Sequence, residues 1–182
     1  MEINYPKTEL IERTFSREGV VVLNDFFAAE YFKRLKGKIK QLKFKKDFEL
    51  LHHSYYSAEL SIDSGGLTDF LSRIINKKIR KLQFNALKLT WKDYMILNDK
   101  YLDKSGIDII IDITKNWDEK WGGLFTYTDG LGNYVQVPPA ENSLTIVKRK
   151  KGMNGFINYI NHYAKKKERI VLIAKLQAGG NE

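Results

Sequence analysis

A run of alternating isoleucines constrains the fold of this chain more than any other feature of the sequence. Ile107, Ile109, Ile111 and Ile113 are each separated by a single residue. Successive side chains of a β-strand point to opposite faces of its sheet, so these four side chains lie on one face. The pattern therefore predicts a β-strand over residues 107–113 with one apolar face.

Short segments with strand character continue from this strand to the C-terminus. Turn signals separate them, namely the Gly-rich stretch 129–133 and the Pro138–Pro139 pair. Many short strands with turns between them are typical of a β-sandwich or a barrel. We predict strands at residues 121–127, 134–137, 143–148, 155–161 and 169–176.

The N-terminal half has a different pattern. A β-branched stretch at residues 19–23 predicts a strand, and Asn24–Asp25 offers a helix cap after it. Apolar residues then follow at nearly helical spacing, which predicts a helix packed through one face. A second helix is predicted at residues 67–75, and residues 52–66 are interpreted as loop and short strand. The apolar positions of the two helices are Phe27, Tyr31, Phe32, Leu35, Ile39, Leu42, Leu67, Phe70, Leu71, Ile74 and Ile75.

The length and composition limit the number of domains and the kinds of site that this chain can have. The chain has 182 residues and no low-complexity linker, so we expect a single domain over 1–182, with a strand and helices in 1–81 and a β core in 82–178. It has no cysteine, which excludes disulfides, thiolate metal sites and cysteine nucleophiles. No apolar run is long enough for a membrane span and no signal-peptide pattern is present, so we expect a cytoplasmic protein without a membrane partner.

The formal net charge of +9 is concentrated in lysine-rich clusters at residues 33–46, 148–151 and 165–167. Such clusters are typical of a phosphate-rich partner such as RNA, and equally of solvated faces that keep a protein soluble. Phe44 is the single aromatic residue within them, and base stacking requires aromatic side chains. Both interpretations therefore stay open.

Three motifs then occur in a fixed order. Residues 116–124 resemble the W-x-x-x-x-G-G-x-L core of the prolyl-4-hydroxylase-like 2-oxoglutarate/iron(II) oxygenases. Residues 137–147 resemble the P-x-x-N-x-L-x-x-F strand of that family, with Val147 in place of the usual phenylalanine. Residues 168–172 resemble its R-x-S-L strand, and residues 19–26 resemble its opening strand. The resemblance thus covers nearly the whole chain.

This resemblance implies a mainly β (α+β) fold, a double-stranded β-helix of the jelly-roll or cupin-like kind, with N-terminal helices packed on the barrel. It also implies a 2-oxoglutarate-dependent dioxygenase. In that family a His-x-Asp pair and a later histidine hold iron(II), and an arginine on the last strand holds 2-oxoglutarate. Two histidines and one carboxylate leave coordination positions open for substrate and oxygen.

At the positions that the resemblance assigns to these residues, the chain has other side chains. The His-x-Asp positions fall on Asn98 and Lys100, the later histidine on Asn158, and the arginine on Arg169. The whole chain has three histidines, at positions 52, 53 and 162. We therefore predict no catalytic residue, no metal ligand and no cofactor, and a pocket lined by remnants of the family site that favours an anion such as 2-oxoglutarate at Arg169.

Several functions remain open at this point. The preferred one is a catalytically degenerate oxygenase relative that acts as a non-catalytic binding or regulatory module. One alternative is a working 2-oxoglutarate-dependent dioxygenase, a protein hydroxylase with an atypical metal site. Another is an RNA- or ribosome-associated basic protein that uses the barrel as a scaffold. For Arg169, an internal ion pair with an acid such as Asp108 or Asp112 is the alternative to anion binding. Expected partners are a small dicarboxylate or anion, and a protein or RNA bound through the lysine faces.

Overall fold

The structure is a computed structural model that describes residues 2–5, 7–62, 65–79, 82–96, 105–129 and 131–177. Three α-helices are found there: α1 (Glu9–Glu18), α2 (Ala29–Lys40) and α3 (Gly65–Ile75). Two 3-10 helices, Glu119–Trp121 and His162–Ala164, lie in connections between strands. The strands are β1 (Val20–Leu23), β2 (Lys45–Glu49), β3 (His53–Leu60), β4 (Phe84–Leu89), β5 (Tyr94–Met95), β6 (Gly106–Asp112), β7 (Phe125–Thr128), β8 (Tyr134–Val137), β9 (Ser143–Arg149), β10 (Asn154–Ile157) and β11 (Arg169–Gln177).

All of these strands belong to one antiparallel sheet that curves into a nearly closed barrel. The order is β1-β9-β6-β11-β4-β3-β5-β10-β7-β8, and β2 pairs with β3 outside this path. Strands distant in sequence are neighbours, since β6 lies between β9 and β11. The predicted mainly β barrel with N-terminal helices is confirmed.

Strand β6 separates two apolar cores. Its alternating isoleucines face the helices and pack with α1, α2 and α3, which confirms the predicted apolar face. We call this region the helical core. Ile110 faces the other way and packs inside the barrel with Leu89, Trp117, Phe125 and Val171. We call that region the barrel core, and Asp108 and Asp112 are buried on its side of β6, in register with inward-facing residues of β9 and β11.

The helices differ from the sequence prediction at several points. Helix α1, which buries Ile11 and Phe15, was not predicted because its apolar residues are few. Helix α2 begins at Ala29, not at the predicted cap Asn24–Asp25. The backbone N–H groups of Phe26 and Phe27 instead bond to Asn142, a long-range contact that no local pattern signals. Residues 53–60, interpreted as loop and short strand, form the eight-residue strand β3.

In the described part of the chain, no helix has both the length and the apolar character that crossing a bilayer requires.

Candidate functional site

Two of the four predicted site residues are described. Asn98 and Lys100 lie outside the described residues, and so do the acids Asp99 and Asp103 beside them. Asn158 directly follows β10, and Arg169 is the first residue of β11. Both contact the same segment, the Gly122–Gly123 connection that leads into β7. The structure therefore brings Asn158 and Arg169 to one end of the barrel.

Asn158 holds this connection through three hydrogen bonds. Its side-chain Oδ1 accepts from the backbone N–H of Leu124 at 2.5 Å. Its own N–H donates to the Leu124 carbonyl at 3.2 Å, and its carbonyl accepts from the Gly123 N–H at 3.1 Å. The amide oxygen of Asn158 is thus used to satisfy a backbone donor that would otherwise be unpaired.

The two glycines of the motif are required because neighbouring atoms leave no room for a side chain at either position. Gly122 has a φ of 82°, and a Cβ there would lie 2.1 Å from the Tyr159 carbonyl oxygen. Gly123 has a φ of 74°, and a Cβ there would meet the Ile160 side chain at 2.9 Å. The Trp117 Nε1–H donates to the Gly122 carbonyl at 2.9 Å. The Trp-Gly-Gly motif therefore builds one wall of the barrel end.

Arg169 is fully buried and has protein partners for each of its three nitrogens. Nε and Nη2 donate to Oδ2 of Asp112 at 3.1 and 2.7 Å. Nη1 donates to the Gly123 carbonyl at 2.5 Å, and the guanidinium lies 5.7 Å from the centre of the Phe125 ring. Of the two acids considered as partners, Asp112 is the one that pairs with Arg169. Anion binding by Arg169 stays a prediction.

A second buried Arg–Asp pair joins Arg149, on β9, to Asp108, which lies on β6 as Asp112 does. Nε of Arg149 donates to Oδ1 of Asp108 at 3.0 Å, and the Tyr127 hydroxyl donates to Oδ2 of Asp108 at 3.0 Å. Burial, and next the negative charge of Asp108, raise the pKa of Tyr127 well above its usual value. Gly106 leaves room for Arg149, since a Cβ there would lie 2.7 Å from Nη2.

Sequence analysis missed Arg149 as a site residue. It was counted with the lysine cluster 148–151, whereas the structure buries it on the inner face of β9. The signal was present in the alternation of that strand, because Thr145, Val147 and Arg149 share one face and Val147 belongs to the barrel core. A basic residue in phase with buried residues is an inward-facing one.

The pair of Arg149 and Asp108 forms part of the wall of a cavity of about 260 Å³ inside the barrel. Asn154 is also in this wall, and its Oδ1 is buried without a hydrogen-bond partner among the described residues. The lining residues include two cationic side chains, Arg149 and the exposed Lys175, and one carboxylate, Asp108, so their formal charge is positive. The main apolar walls are Leu87, Met95, Phe125, Met153, Phe156 and Ile173.

The described residues do not fit an iron(II) site. No group of three or more histidine, aspartate or glutamate side chains among them could hold a metal ion. Nε2 of His53 lies 2.8 Å from Oδ1 of Asp47, and the imidazole stacks on Tyr55. His162 packs on Tyr163 at the barrel end. Neither histidine is among the residues that line the cavity.

No protein-family model matches the chain, and no curated protein sequence matches it. Solved structures do match it. An oxidoreductase of the 2OG-Fe(II) oxygenase family from Burkholderia pseudomallei has a TM-score of 0.73 at 12% identity, over 97% of this chain and 94% of that one. A Pseudomonas putida prolyl-4-hydroxylase has a TM-score of 0.70 at 12% identity, over 94% and 98%. HygX from Streptomyces hygroscopicus, solved with nickel and 2-oxoglutarate bound, has a TM-score of 0.59 at 9% identity, over 96% and 88%.

These comparisons correct one prediction. The sequence led us to expect no cofactor, yet one similar structure is of the 2OG-Fe(II) oxygenase family and another was solved with nickel and 2-oxoglutarate bound. The prediction was wrong because it treated three altered positions as if they decided what the whole barrel can hold. The overall fold agrees with two of those structures over more than nine-tenths of each chain. The chain has the fold of the prolyl-4-hydroxylase-like 2-oxoglutarate/iron(II) oxygenases.

Proposed function

We propose that this protein is a non-catalytic binding module on the oxygenase fold and that the barrel cavity holds a small organic anion. The observation that carries the proposal is the polar wall of the cavity. It combines the Arg149–Asp108 pair, part of Lys175, and Oδ1 of Asn154, which has no hydrogen-bond partner among the described residues. A buried acceptor without a donor is costly, so a ligand that supplies an N–H or O–H group gains affinity at Asn154.

The charges favour an anion over a neutral ligand. Asp108 is paired with Arg149 and is the register neighbour of Lys175, so the lining residues include two cationic side chains and one carboxylate. A ligand carboxylate is attracted by the positive charge of these lining residues, of which Lys175 lies at the solvent-exposed side. Apolar side chains cover the rest of the wall, which suits a ligand with a short hydrocarbon chain.

The non-catalytic character is supported by the roles that the described residues already have. Asn158, at the family position of a metal-binding histidine, is bonded to the backbone of Leu124. Arg169 is neutralised by Asp112 within the barrel. An oxygenase of this family needs side chains whose lone pairs are available to a dication. Among the described residues, Asn158 is at such a position, and its amide oxygen accepts a hydrogen bond from the backbone N–H of Leu124.

The binding proposal is tested by thermal shift with two probes that differ in one group. 2-Hydroxyglutarate has a hydroxyl donor where 2-oxoglutarate has a carbonyl. We expect 2-hydroxyglutarate to raise the Tm more, because it can donate to Asn154, and Asn154→Leu to remove that preference. Lys175→Gln should weaken both shifts, whereas Lys150→Gln, an exposed lysine outside the cavity wall, should leave them unchanged. Absence of any shift with either probe would refute anion binding.

A second function is favoured by the solved structures, two of which are named as an oxidoreductase and a prolyl-4-hydroxylase. In it, the protein is a 2-oxoglutarate-dependent dioxygenase with an atypical metal site that hydroxylates a protein residue. Anaerobic loading with iron(II) and 2-oxoglutarate, followed by oxygen and a succinate assay, separates the two functions. We expect no succinate above the protein-free control. Succinate formation that stops when iron is chelated would establish the enzyme and overturn the non-catalytic proposal.

A further inference from the structure

Lysine side chains lie over aromatic rings along one side of the barrel. The row begins with cross-strand neighbours, since Tyr56 on β3 pairs in register with Lys46 on β2 and with Lys88 on β4. Nζ of Lys46 lies 4.5 Å from the centre of the Tyr56 ring, and Nζ of Lys88 lies 5.1 Å from it. Lys88 also lies 5.3 Å from the Phe44 ring.

The row continues at the turn after β4. Nζ of Lys92 lies 4.4 Å from the Trp91 ring and Nζ of Lys165 lies 5.0 Å from it. The turn is fixed to the connection after β10, because the N–H of Lys92 donates to the Ile160 carbonyl and the N–H of Ile160 donates to the Asp93 carbonyl, both at 3.0 Å. Residues 91 and 165 are therefore held together by the fold.

Two ion pairs join the two halves of this row. Nζ of Lys46 lies 2.6 Å from Oδ1 of the buried Asp93, and Nζ of Lys88 lies 3.6 Å from Oε1 of Glu168. The lysine clusters 33–46 and 165–167, far apart in sequence, thus meet on one surface. We call it the aromatic–lysine band and define it as Lys46, Tyr56, Lys88, Trp91, Lys92, Tyr163 and Lys165.

The acidic residues paired with lysines of the band are fewer than its lysines, so the surface has a net positive charge. Asp93 and Glu168 are each paired with a lysine of the band, while Asp118 and Glu119 lie on the neighbouring 3-10 turn beside Lys120. Lys166 and Lys167 are exposed and extend the positive charge past Lys165. Tyr163 is 71% exposed, which leaves its ring accessible to a planar partner.

We infer that the aromatic–lysine band binds single-stranded nucleic acid. Ammonium groups neutralise phosphates in a manner that depends on salt, and exposed rings stack on unpaired bases. The sequence alone showed one aromatic residue in the lysine clusters, whereas the fold brings the half-exposed Tyr56 and Trp91 under lysine side chains of the band. The ring that is mainly exposed for stacking is that of Tyr163, two residues before Lys165. A single strand satisfies both chemistries, because in a duplex the bases are already stacked and paired.

The test is fluorescence polarisation of the whole protein with labelled oligouridine, oligothymidine and a duplex of mixed sequence. We expect both single strands to bind more tightly than the duplex, with affinity falling steeply as salt rises. Tyr163→Ala should weaken the binding of both single strands at least about 5-fold, because the loss of stacking on one base lowers the affinity by about that factor or more. The matched control is Tyr134→Ala, 68% exposed on β8 and outside the band, which should change affinity less than 2-fold.

A second pair of variants tests the charge. Replacing Lys165, Lys166 and Lys167 with glutamine should lower the salt slope. The same change at Lys148, near the end of β9, and at Lys150 and Lys151 of the β9–β10 turn should change it little. The inference is overturned if no oligonucleotide binds at low salt. It is also overturned if inorganic polyphosphate, which has no bases, competes as well as oligouridine and Tyr163→Ala binds like the wild type, because the surface would then be a general site for polyanions.

Discussion

Both Nε and Nη2 of Arg169, on β11, donate to the same carboxylate oxygen of Asp112, on β6. The two side chains are almost completely buried. A buried ion pair is expensive to break from one side, because the remaining charge is left in a region where neither water nor a partner solvates it. The stability of the barrel end therefore depends on both residues together.

The first prediction follows from this pair. Arg169→Met should lower the free energy of unfolding by about 3–5 kcal/mol, and Asp112→Leu should have an effect of similar size. The double variant should be much closer to the wild type than the sum of the two, because it leaves no unpaired charge. Urea unfolding followed by tryptophan fluorescence measures all four proteins. If the losses of unfolding free energy in the two single variants add up to the loss in the double variant, the pair does not act as a unit.

The second prediction concerns pH and Tyr127. Its pKa is raised by burial and by Asp108, so the folded state holds the phenolic proton more tightly than the unfolded chain does. The stability that this contributes is complete below the ordinary tyrosine pKa of about 10 and is lost as pH rises above it. Tyr127→Phe should be less stable at neutral pH by about 1–3 kcal/mol, since Asp108 loses a donor.

Above about pH 10, Tyr127→Phe should lose stability more slowly than the wild type, because it has no proton to release at this position. Urea unfolding at neutral and alkaline pH checks this, and lysine titration affects both proteins alike. Parallel pH profiles for the two proteins would contradict the assigned cause.

The third prediction concerns the amide at position 158. Asn158→Ala removes the acceptor of the Leu124 N–H and should destabilise the protein by about 1–3 kcal/mol. Asn158→Asp keeps an acceptor oxygen and should stay closer to the wild type at neutral pH. If thermal unfolding ranks aspartate below alanine, the hydrogen bond to Leu124 is not the reason that asparagine is needed.

The fourth prediction separates backbone strain from close approach. Gly122 and Gly132 both have positive φ values, 82° and 95°, but a Cβ at Gly132 meets nothing within 4 Å. Gly132→Ala should therefore lower the free energy of unfolding by about 1 kcal/mol through conformation alone. Gly122→Ala adds a clash with the Tyr159 carbonyl and should be clearly worse, by about 3 kcal/mol or more. Equal losses in chemical denaturation would mean that the backbone at Tyr159 can move aside.

Local patterns determined much of the architecture. The isoleucine alternation fixed the apolar face of β6, because the period of a strand decides which side chains share a face. The order of the Trp-Gly-Gly, Pro-Asn and Arg motifs indicated the oxygenase barrel before any contact was known. Strand β3 and helix α1 were missed because their stability comes from packing on distant segments, which local propensity does not record.

The tertiary structure alone decided which partners these residues meet. Alternation places Asp108 and Asp112 on one side of β6, but only the pairing of β6 with β9 and β11 brings Arg149 to the first and Arg169 to the second. Trp91 and Lys165 likewise meet because the turn after β4 is bonded to the connection after β10. Spacing along a strand fixes the direction of a side chain, whereas contacts between segments far apart in sequence are fixed by the register of the whole sheet.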